Sequence, residues 1–324
     1  MKDIAAIKQP VIHDFERFEG LFKSAFQSDN QQLTEIYSYL LTNVGKQIRP
    51  TLTLLCSKLC GQINDMALQA AVALELMHTA SLLHDDVVDE AKERRGNPSV
   101  YAQWGNKTAI LSGDYLLAAS FMVITGINNS RIWTILAKVG KLLAEGELLQ
   151  LNKADGETVS ETHYFKVIGN KTAALFSACT EVGAISAGAD EYSVKLIREF
   201  GENLGIGFQI KDDIFDYSDS NIIGKPTGND LKEGKITLPL IYALKQSSEE
   251  ERQSVLQKLQ TVPQDESLIT EIQEFARSKG GIRYAEEKML FFKEKAWNAL
   301  SSFPDNVEKD ALIEILDFAT ARNY

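Results

Sequence analysis

The chain has 324 residues, a net charge of −11 and a hydrophobic fraction of 44%. This length and composition allow one large or two ordinary domains with a sizeable core, and they exclude a disordered or fibrous chain. The acidic balance argues against non-specific nucleic-acid binding, which requires a basic surface. It does not exclude an anionic substrate, because a local cluster of cations can reverse the field inside a cleft.

The cysteines and the opening residues bear on the cellular location. The three cysteines, Cys56, Cys60 and Cys179, show no disulfide spacing, and we interpret the first two as buried core thiols in a reducing cytoplasm. The N-terminal residues lack the pattern of a signal peptide, and no uninterrupted apolar run approaches the roughly 18 residues of a spanning helix. We therefore expect a cytoplasmic protein whose membrane contact is at most transient.

Apolar residues recur with helical spacing along almost the whole chain. Residues 14–27 carry the first such stripe, and residues 64–90 are apolar on nearly every face until the end of the segment. The second pattern predicts a centrally buried helix. Further helices are predicted at 30–44, 50–60, 107–127, 131–153, 159–188, 191–217, 237–258, 265–300 and 306–322. Because no convincing strand pattern occurs, the sequence predicts a single all-α domain over residues 1–324, built as a bundle of long helices.

Two aspartate clusters end two of these predicted helices. Their members are Asp85, Asp86 and Asp89 in the first and Asp212, Asp213 and Asp216 in the second. Carboxylates four residues apart share a helix face, where their repulsion and the negative end of the helix dipole are both unfavourable. A solvated acidic helix end could explain one cluster. Two clusters indicate cations, and all-oxygen ligands favour Mg²⁺ over Zn²⁺.

Basic residues accompany both clusters. They are Lys46, Arg49, Arg94, Arg95, Lys171, Lys225 and Lys235. Each of them singly is typical of a solvated surface charge. The adjacent guanidiniums of Arg94 and Arg95, in the predicted loop 92–99, are the strongest candidates for binding phosphate oxygens. Lys225 lies in a second predicted loop, 218–234, directly after the second cluster.

The order of these motifs resembles the trans-prenyltransferases, also called isoprenyl or polyprenyl diphosphate synthases. The motifs are GKxxRP from Gly45, DDxxD-x4-RRG from Asp85, GxKTAxLF from Gly169 and FQxxDDxxD-x7-GKxxGxDLxxGKxTLP from Phe208. One departure is Val44, where many members have Gly. The resemblance implies the isoprenoid synthase fold with a deep central cavity, a homodimer, and about three Mg²⁺ ions with bound diphosphate.

The resemblance also implies residue roles by motif position. The principal Mg²⁺ ligands are expected to be Asp85, Asp89 and Asp212, with Asp86, Asp213 and Asp216 assisting. The allylic diphosphate is expected at Arg94, Lys171, Thr172, Gln209, Lys225 and Lys235, with Lys171 also counted as catalytic. Isopentenyl diphosphate is expected at Lys46, Arg49, His78 and Arg95. His78 could instead be a core histidine satisfied by a backbone carbonyl, and Glu145 and Glu147 either support their helix or take part in catalysis.

The residues before the first cluster bear on product length in this family. Ala80 and Ser81 are small, which leaves a tunnel open, and Met77 is the next obstacle one turn deeper. A deeper floor is expected from Leu143, Val139, Leu136 or Trp133 on the facing helix. We expect a long all-trans product of about eight isoprene units (C40), as in quinone side chains, grown from a farnesyl or geranylgeranyl primer. The alternative is that Ala80 and Ser81 only allow tight helix packing.

The predicted function is a Mg²⁺-dependent condensation of isopentenyl diphosphate with an allylic diphosphate, without a protein nucleophile. A shorter-chain farnesyl or geranylgeranyl diphosphate synthase is an alternative that the motifs leave open. A class I terpene cyclase would not need the isopentenyl-binding residues Lys46, Arg49 and Arg95. A non-catalytic subunit of a hetero-oligomeric synthase would usually lack the aspartates, and all six are present.

Overall fold

The computed structural model describes residues 4–151, 159–218, 227–262 and 264–321. Within these ranges the chain is helical almost throughout, which confirms the predicted all-α class. The chain divides into two compact units that alternate along the sequence. The first unit comprises residues up to Lys141, Leu175–Gly201 and Ala299–Ile315, and the second comprises Leu142–Ala174, Glu202–Asn298 and residues from Leu316 onward.

The helices are numbered in chain order. The first eight are α1 (Ile4–Lys8), α2 (Ile12–Ser24), α3 (Gln31–Leu41), α4 (Ile48–Cys60), α5 (Asp65–Val88), α6 (Val100–Trp104), α7 (Asn106–Thr125) and α8 (Ser130–Gln150). The next four are α9 (Glu161–Ile168), α10 (Ala174–Ser186), α11 (Glu191–Asp216) and α12 (Asn229–Lys232). The last five are α13 (Leu238–Lys245), α14 (Glu249–Thr261), α15 (Ser267–Ser278), α16 (Gly281–Leu300) and α17 (Val307–Ala321).

The first unit is organised around α5. The side chain of Asn64 caps this helix by accepting a hydrogen bond from the backbone N–H of Ala67 at 3.0 Å. Most residues of its N-terminal half are buried, because α2, α4 and α7 pack around it. Each fully buried leucine there, such as Leu68 or Leu74, contributes about 1.5–3 kcal/mol to the free energy of folding. This packing fixes the C-terminal end of α5, where the first aspartate cluster lies.

Two helices depart from the expectation that no apolar run is long enough to span a membrane. By length and composition alone, α5 and α7 both meet that criterion. The apolar window of α5 is 67% buried inside the fold, as in the core helix of a globular unit. The window of α7 is only 28% buried, and it leaves Leu111 and Met122 exposed at 65% and 73%. Cys60 also differs from expectation, since it is half-buried while Cys56 is fully buried.

The second unit contains two apolar clusters that lie beside the end of α11. Ile210 and Ile214 belong to one cluster, together with Leu238 of α13 and Met289 of α16. Tyr217, just after the helix, belongs to the other cluster, which α13, α14 and α15 complete. The last turns of α11, which carry the second aspartate cluster, are therefore anchored on both sides by buried side chains.

Three of the predicted helices are interrupted. Residues 237–258 form α13 and α14, because Ser248 starts a new helix through a capping box with Glu251. Residues 265–300 form α15 and α16, separated at Gly280, whose φ is +79°. Residues 159–188 form α9 and α10, joined by a π-helix over Gly169–Ala173. The predicted loop 92–99 contains a short antiparallel hairpin of Glu93–Arg94 (β1) and Asn97–Pro98 (β2).

Candidate active site

The first aspartate cluster lies at the C-terminal end of α5. Asp85 and Asp86 belong to the last turn of the helix, and Asp89 is its C-cap residue. Asp86 is 3% exposed, and one of its carboxylate oxygens accepts hydrogen bonds from Arg94 Nε, at 2.8 Å, and Arg94 Nη2. Burial raises the pKa of Asp86, and the Arg94 guanidinium partly offsets that rise. The hairpin that follows α5 thus places the positive Arg94 guanidinium beside the Asp86 carboxylate at the end of the helix.

Arg95 points to a different partner from Arg94. Its backbone has φ +56°, and its Nη1 donates a hydrogen bond to the carbonyl oxygen of Asn43 at 2.5 Å. The guanidinium lies against Gly45, where an added Cβ would come within 2.4 Å of Arg95 Cζ. Gly45 has φ +68°, so both its conformation and its lack of a side chain are required. The glycine of GKxxRP therefore makes room for Arg95.

His78 contacts Arg49 on α4. Arg49 Nη1 lies 2.9 Å from His78 Nε2. Because arginine only donates, Nε2 must accept and Nδ1 must carry the proton. Burial lowers the pKa of His78 well below its usual value, and the positive charges of Arg49 and Arg95 lower it further. His78 is therefore neutral, and the partner of its Nε2 atom is an arginine side chain.

A cavity of about 70 Å³ lies in the first unit. Four predicted site residues line it, namely His78, Asp86, Arg94 and Arg95. Lys46 and Arg49 do not line it, although Arg49 reaches it through His78. Its other polar lining residues include Asn43, Glu75, Thr79, Asn97 and Ser99.

Glu75 is an acidic residue at this cavity that the sequence motifs did not assign. It lies one turn before His78 on α5, is 6% exposed, and lines the cavity. Burial raises the pKa of its carboxyl group, and the charges of Arg49 and Arg95 partly offset that rise. Its Oε2 atom accepts no hydrogen bond from the described residues. The first unit thus holds a buried carboxyl group near Arg49 and Arg95, which are predicted to bind substrate.

Asp213 of the second cluster is held by neutral donors. Tyr164 Oη donates to its Oδ2 at 2.6 Å, and Gln209 Nε2 donates to its Oδ1 at 2.9 Å. Thr172 Oγ1 in turn donates to Gln209 Oε1 at 2.8 Å. Burial raises the pKa of Asp213 to about 7; the two hydrogen bonds oppose the rise, and the Asp212 carboxylate adds to it. A buried carboxylate in this environment is stabilised by a nearby cation.

Asp216 has a structural role that the motif did not reveal. Its Oδ1 accepts from the backbone N–H of Asn229 at 2.8 Å, and its Oδ2 accepts from that of Asp230 at 3.0 Å. Both oxygens therefore hold the first turn of α12. Burial raises the pKa of Asp216, and these backbone hydrogen bonds oppose the rise. Asp216 joins the end of α11 to the segment that leads to Lys235.

A cavity of about 190 Å³ lies in the second unit. The predicted site residues that line it are Lys171, Thr172, Gln209, Asp213 and Lys235. Asp212 and Asp216 do not line it. Lys225 lies outside the described residues.

The two lysines of this cavity both carry acidic partners. Lys171, in the π-helix, forms an ion pair with Glu147 of α8. Lys235 Nζ lies 2.5 Å from a carboxylate oxygen of Glu233. Further polar residues of the lining are Gln150, His163, Tyr164, Asp230 and Thr237. The cavity therefore contains both cations and carboxylates, which suits an anion bound together with a metal ion.

The residues proposed to set product length are packed in the first unit. Met77 and Ala80 are 3% and 2% exposed, and Ser81 Oγ donates to the His78 carbonyl oxygen at 2.9 Å. The Met77 side chain ends beside α8, since a Cβ at Gly140 would lie 3.2 Å from Met77 Cε. None of the three lines either of the two cavities.

The deeper positions on α8 divide into two kinds. Leu136 and Val139 are buried at 0% and 3%, and Leu143 is partly buried. Trp133 is 43% exposed, and its indole N–H donates to the Ile127 carbonyl oxygen at 2.6 Å. An interior floor at Trp133 is therefore wrong.

The aspartates fit a hard divalent cation by their chemistry. Their donors are all carboxylate oxygens, and burial raises the pKa of Asp86, Asp213 and Asp216. Among the described residues, no three histidine, cysteine, aspartate or glutamate side chains converge on a single point. Mg²⁺ does not need such a set, because it keeps several waters and binds through one or two carboxylates plus substrate phosphates.

Sequence reasoning missed Tyr164 and Asp230, which line the second cavity. Asp230 lies within the DLxxGK motif, and burial together with the charges of Asp213 and Asp216 raises its pKa well above the usual value. Tyr164 lies seven residues before Lys171, a spacing that could have placed both on one helix face. No sequence signal connected Tyr164 to Asp213, 49 residues away.

A helical fold that ends two long helices in aspartate clusters, each with cationic residues nearby, agrees with the class of the prenyltransferases. Residues 30–276 match the family model described as polyprenyl synthetase, and the chain belongs to this family. It is similar to octaprenyl diphosphate synthase of Haemophilus influenzae, with 32% identity over 96% of this chain and 94% of the relative.

Solved structures give the same result. The crystal structure of polyprenyl synthase from Caulobacter crescentus CB15, complexed with calcium and isoprenyl diphosphate, superposes with a TM-score of 0.92 at 34% identity, covering 99% of this chain and 98% of that one. The structure of geranylgeranyl pyrophosphate synthase from Bacteroides thetaiotaomicron has a TM-score of 0.84 at 41% identity, covering 98% and 99%. The chain therefore has the isoprenoid synthase fold.

Proposed function

We propose that this chain is a Mg²⁺-dependent synthase that condenses isopentenyl diphosphate with an allylic diphosphate and repeats the step to about C40. The observation that carries the proposal is the lining of the second cavity, where Lys171, Lys235 and Gln209 lie around Asp213. Cations and amide donors beside a carboxylate of raised pKa suit a diphosphate bound together with a metal ion.

The chain's own residues have distinct tasks in this proposal. Lys171, Thr172, Gln209 and Lys235 bind the allylic diphosphate in the second unit, with Lys225 assigned by motif alone. Arg94 is assigned to the same diphosphate by its place after the first cluster. His78, Arg49, Arg95 and Lys46 bind isopentenyl diphosphate. Neutral His78 keeps the Arg49 guanidinium oriented without adding a positive charge of its own.

The chemistry requires a stabilised leaving group. The allylic C–O bond breaks, and diphosphate leaves with the electron pair while lysine and arginine donors stabilise its charge. The alkene of isopentenyl diphosphate supplies the electrons of the new C–C bond, and loss of a proton restores a double bond. The proton is assigned to the released diphosphate. Mg²⁺, held by Asp85, Asp89 and Asp212, would supply further charge stabilisation of the leaving group.

Product length is proposed from α5. Ala80 is small and buried, and Met77 beside Gly140 is the next large side chain one turn deeper. These positions favour elongation past farnesyl and geranylgeranyl products to about eight isoprene units. The similarity to a geranylgeranyl pyrophosphate synthase at 41% identity supports a shorter product as the second candidate.

We further propose a homodimer that forms through α7. The exposed side chains Leu111, Phe121 and Met122, at 65%, 52% and 73%, recur on this helix, and an apolar helix face of this kind suits a second copy. We also propose that both units form one polyprenyl synthetase domain, because the family match runs through both of them. A cytoplasmic location with transient membrane contact for product release fits a long isoprenoid product.

The test is a product-length assay. The protein is incubated with Mg²⁺, isopentenyl diphosphate and either farnesyl or geranylgeranyl diphosphate, and products are resolved by length, with a chelator as the control. We expect Mg²⁺-dependent products of about C40. Ala80→Phe should shorten them, and Ala80→Leu should do so to a smaller extent. Absence of condensation with every primer would overturn the proposed activity, while unchanged length in Ala80→Phe would overturn only the tunnel assignment.

A further inference from the structure

Glu147 is a buried carboxylate beside the diphosphate cavity of the second unit. It lies in the last turn of α8 and forms an ion pair with Lys171, which lines that cavity. The side chains of Glu147 and Lys171 are 15% and 24% exposed. The proposed function gives Lys171 a role and leaves Glu147 without one.

The backbone fixes this pair in place. Gly146 packs so closely on the π-helix that a Cβ there would come within 2.8 Å of Lys171 N and 3.1 Å of Asn170 Cβ. Both partners thus lie on regular elements in direct backbone contact. The carboxylate is presented to the ammonium by the fold and needs no loop movement to reach it.

The environment of Glu147 is unusual for a purely structural ion pair. Neither carboxylate oxygen accepts a well-formed hydrogen bond from the described residues, so the Lys171 ammonium is its one recorded partner there. A buried carboxylate with so few donors weakens the fold more than a neutral side chain of the same shape would. It also places negative charge beside a cavity that already contains Asp213 and Asp230.

We propose that Glu147 is a positioning residue that competes with the diphosphate for Lys171 and thereby speeds release of the diphosphate. This inference rests on the proposed function. Repeated condensation requires each released diphosphate to leave before the lengthened chain occupies the allylic site. Because Lys171 is paired with Glu147, it binds the diphosphate less tightly than a lysine without an acidic partner would. Weaker binding of the released diphosphate raises the turnover rate.

The test compares pyrophosphate binding in the intact protein with Mg²⁺ present, by isothermal titration calorimetry. We expect Glu147→Gln to bind pyrophosphate about tenfold more tightly, equivalent to about 1.4 kcal/mol. Its kcat should fall while the KM for the allylic diphosphate also falls. Glu250→Gln, which removes the charge of an exposed carboxylate on α14, is the matched control and should leave both constants unchanged.

Two further variants separate the possible results. Glu147→Asp keeps the charge but retracts it by one methylene, so its pyrophosphate affinity should lie between wild type and Glu147→Gln. In a Lys171→Met background, Glu147→Gln should tighten binding no further. Unchanged or weaker pyrophosphate binding in both Glu147 variants overturns the inference. A wild-type protein that neither binds pyrophosphate nor condenses substrates overturns the proposed function instead.

Discussion

The two aspartate clusters have the same sequence pattern and different surroundings. In the first, the middle carboxylate, Asp86, is bound by the guanidinium of Arg94. In the second, the middle carboxylate, Asp213, is bound by the uncharged donors Tyr164 and Gln209. The last aspartate of the first cluster, Asp89, ends its helix, whereas both oxygens of Asp216 hold the start of another helix.

The difference shows that, within one motif, some carboxylates can serve catalysis while others stabilise the fold. In the second unit, two of three aspartates are tied to named donors of the fold, and burial still raises their pKa values. In the first unit, Asp86 is paired with the positive charge of Arg94, and Arg95 and Glu75 line the same cavity. We therefore expect mutations in the first cluster to affect mainly catalysis and mutations in the second to affect folding stability as well.

The largest expected effect is at Asp85. Asp85→Ala should lower kcat/KM by at least about 10³-fold, or about 4 kcal/mol, because a proposed metal ligand is lost. Its melting temperature should stay close to that of wild type. Steady-state kinetics and thermal unfolding check both parts, with exposed Asp29→Ala as the control. Retained activity in Asp85→Ala would contradict the expectation that mutations in the first cluster affect mainly catalysis.

The next effect is on stability, at Tyr164. Tyr164→Phe removes the hydroxyl that donates to the buried Asp213 carboxylate, and we expect a loss of about 1–3 kcal/mol in the free energy of unfolding. Urea denaturation measures it. Tyr192, 63% exposed, provides the matched control through Tyr192→Phe. Equal stability of the two variants would mean that the neutral donors of the second cluster are dispensable.

A smaller loss is expected at Asp216. Asp216→Ala removes the acceptor for two backbone N–H groups of α12, and loss of such a cap costs about 0.5–2 kcal/mol. Activity should fall less than in Asp85→Ala. The melting temperature and kcat/KM, measured on the same preparations, test both expectations. An Asp216→Ala protein of wild-type stability with no activity would assign this residue to the metal rather than to the helix.

The smallest expected effect concerns pH and the first unit. The pKa of His78 is depressed in the folded state, so the unfolded chain binds the additional proton as pH falls below about 6.5. Stability should therefore decrease on acidification, by less than about 1 kcal/mol between pH 6.5 and 6.0. His78→Asn should abolish that part of the slope in denaturation series, and exposed His13→Asn should not. An unchanged slope in His78→Asn would show that folding does not lower the pKa of this histidine.

Much of this molecule follows from its sequence, and the limits have physical causes. Helical periodicity located the long helices, since apolar spacing repeats along them, but it ran through Ser248 and Gly280, where capping and a positive φ end them. Motif spacing located Lys171, Thr172, Gln209 and Asp213, which line one cavity. It could not assign Tyr164, because that contact depends on the packing of α9 against α11.

Motif position likewise gave Asp216 a metal-assisting role, because a pattern of letters does not distinguish a carboxylate that binds metal from one that caps a helix. The backbone N–H groups of Asn229 and Asp230 show that Asp216 caps a helix, and its metal-assisting role stays a prediction. At Ala80 the sequence predicted an open tunnel, with tight helix packing as the alternative; the residue is 2% exposed, and the tunnel stays a prediction.

Gly45 contributes to the first unit without a functional group of its own. Its role is to leave the volume that the Arg95 guanidinium occupies, and its positive φ excludes most other residues independently. Chemical labelling and transplantation of side chains would both overlook it. A saturation mutagenesis map should nevertheless show it as intolerant as the arginine it accommodates, so an engineered site that copies the charged residues must copy this empty space too.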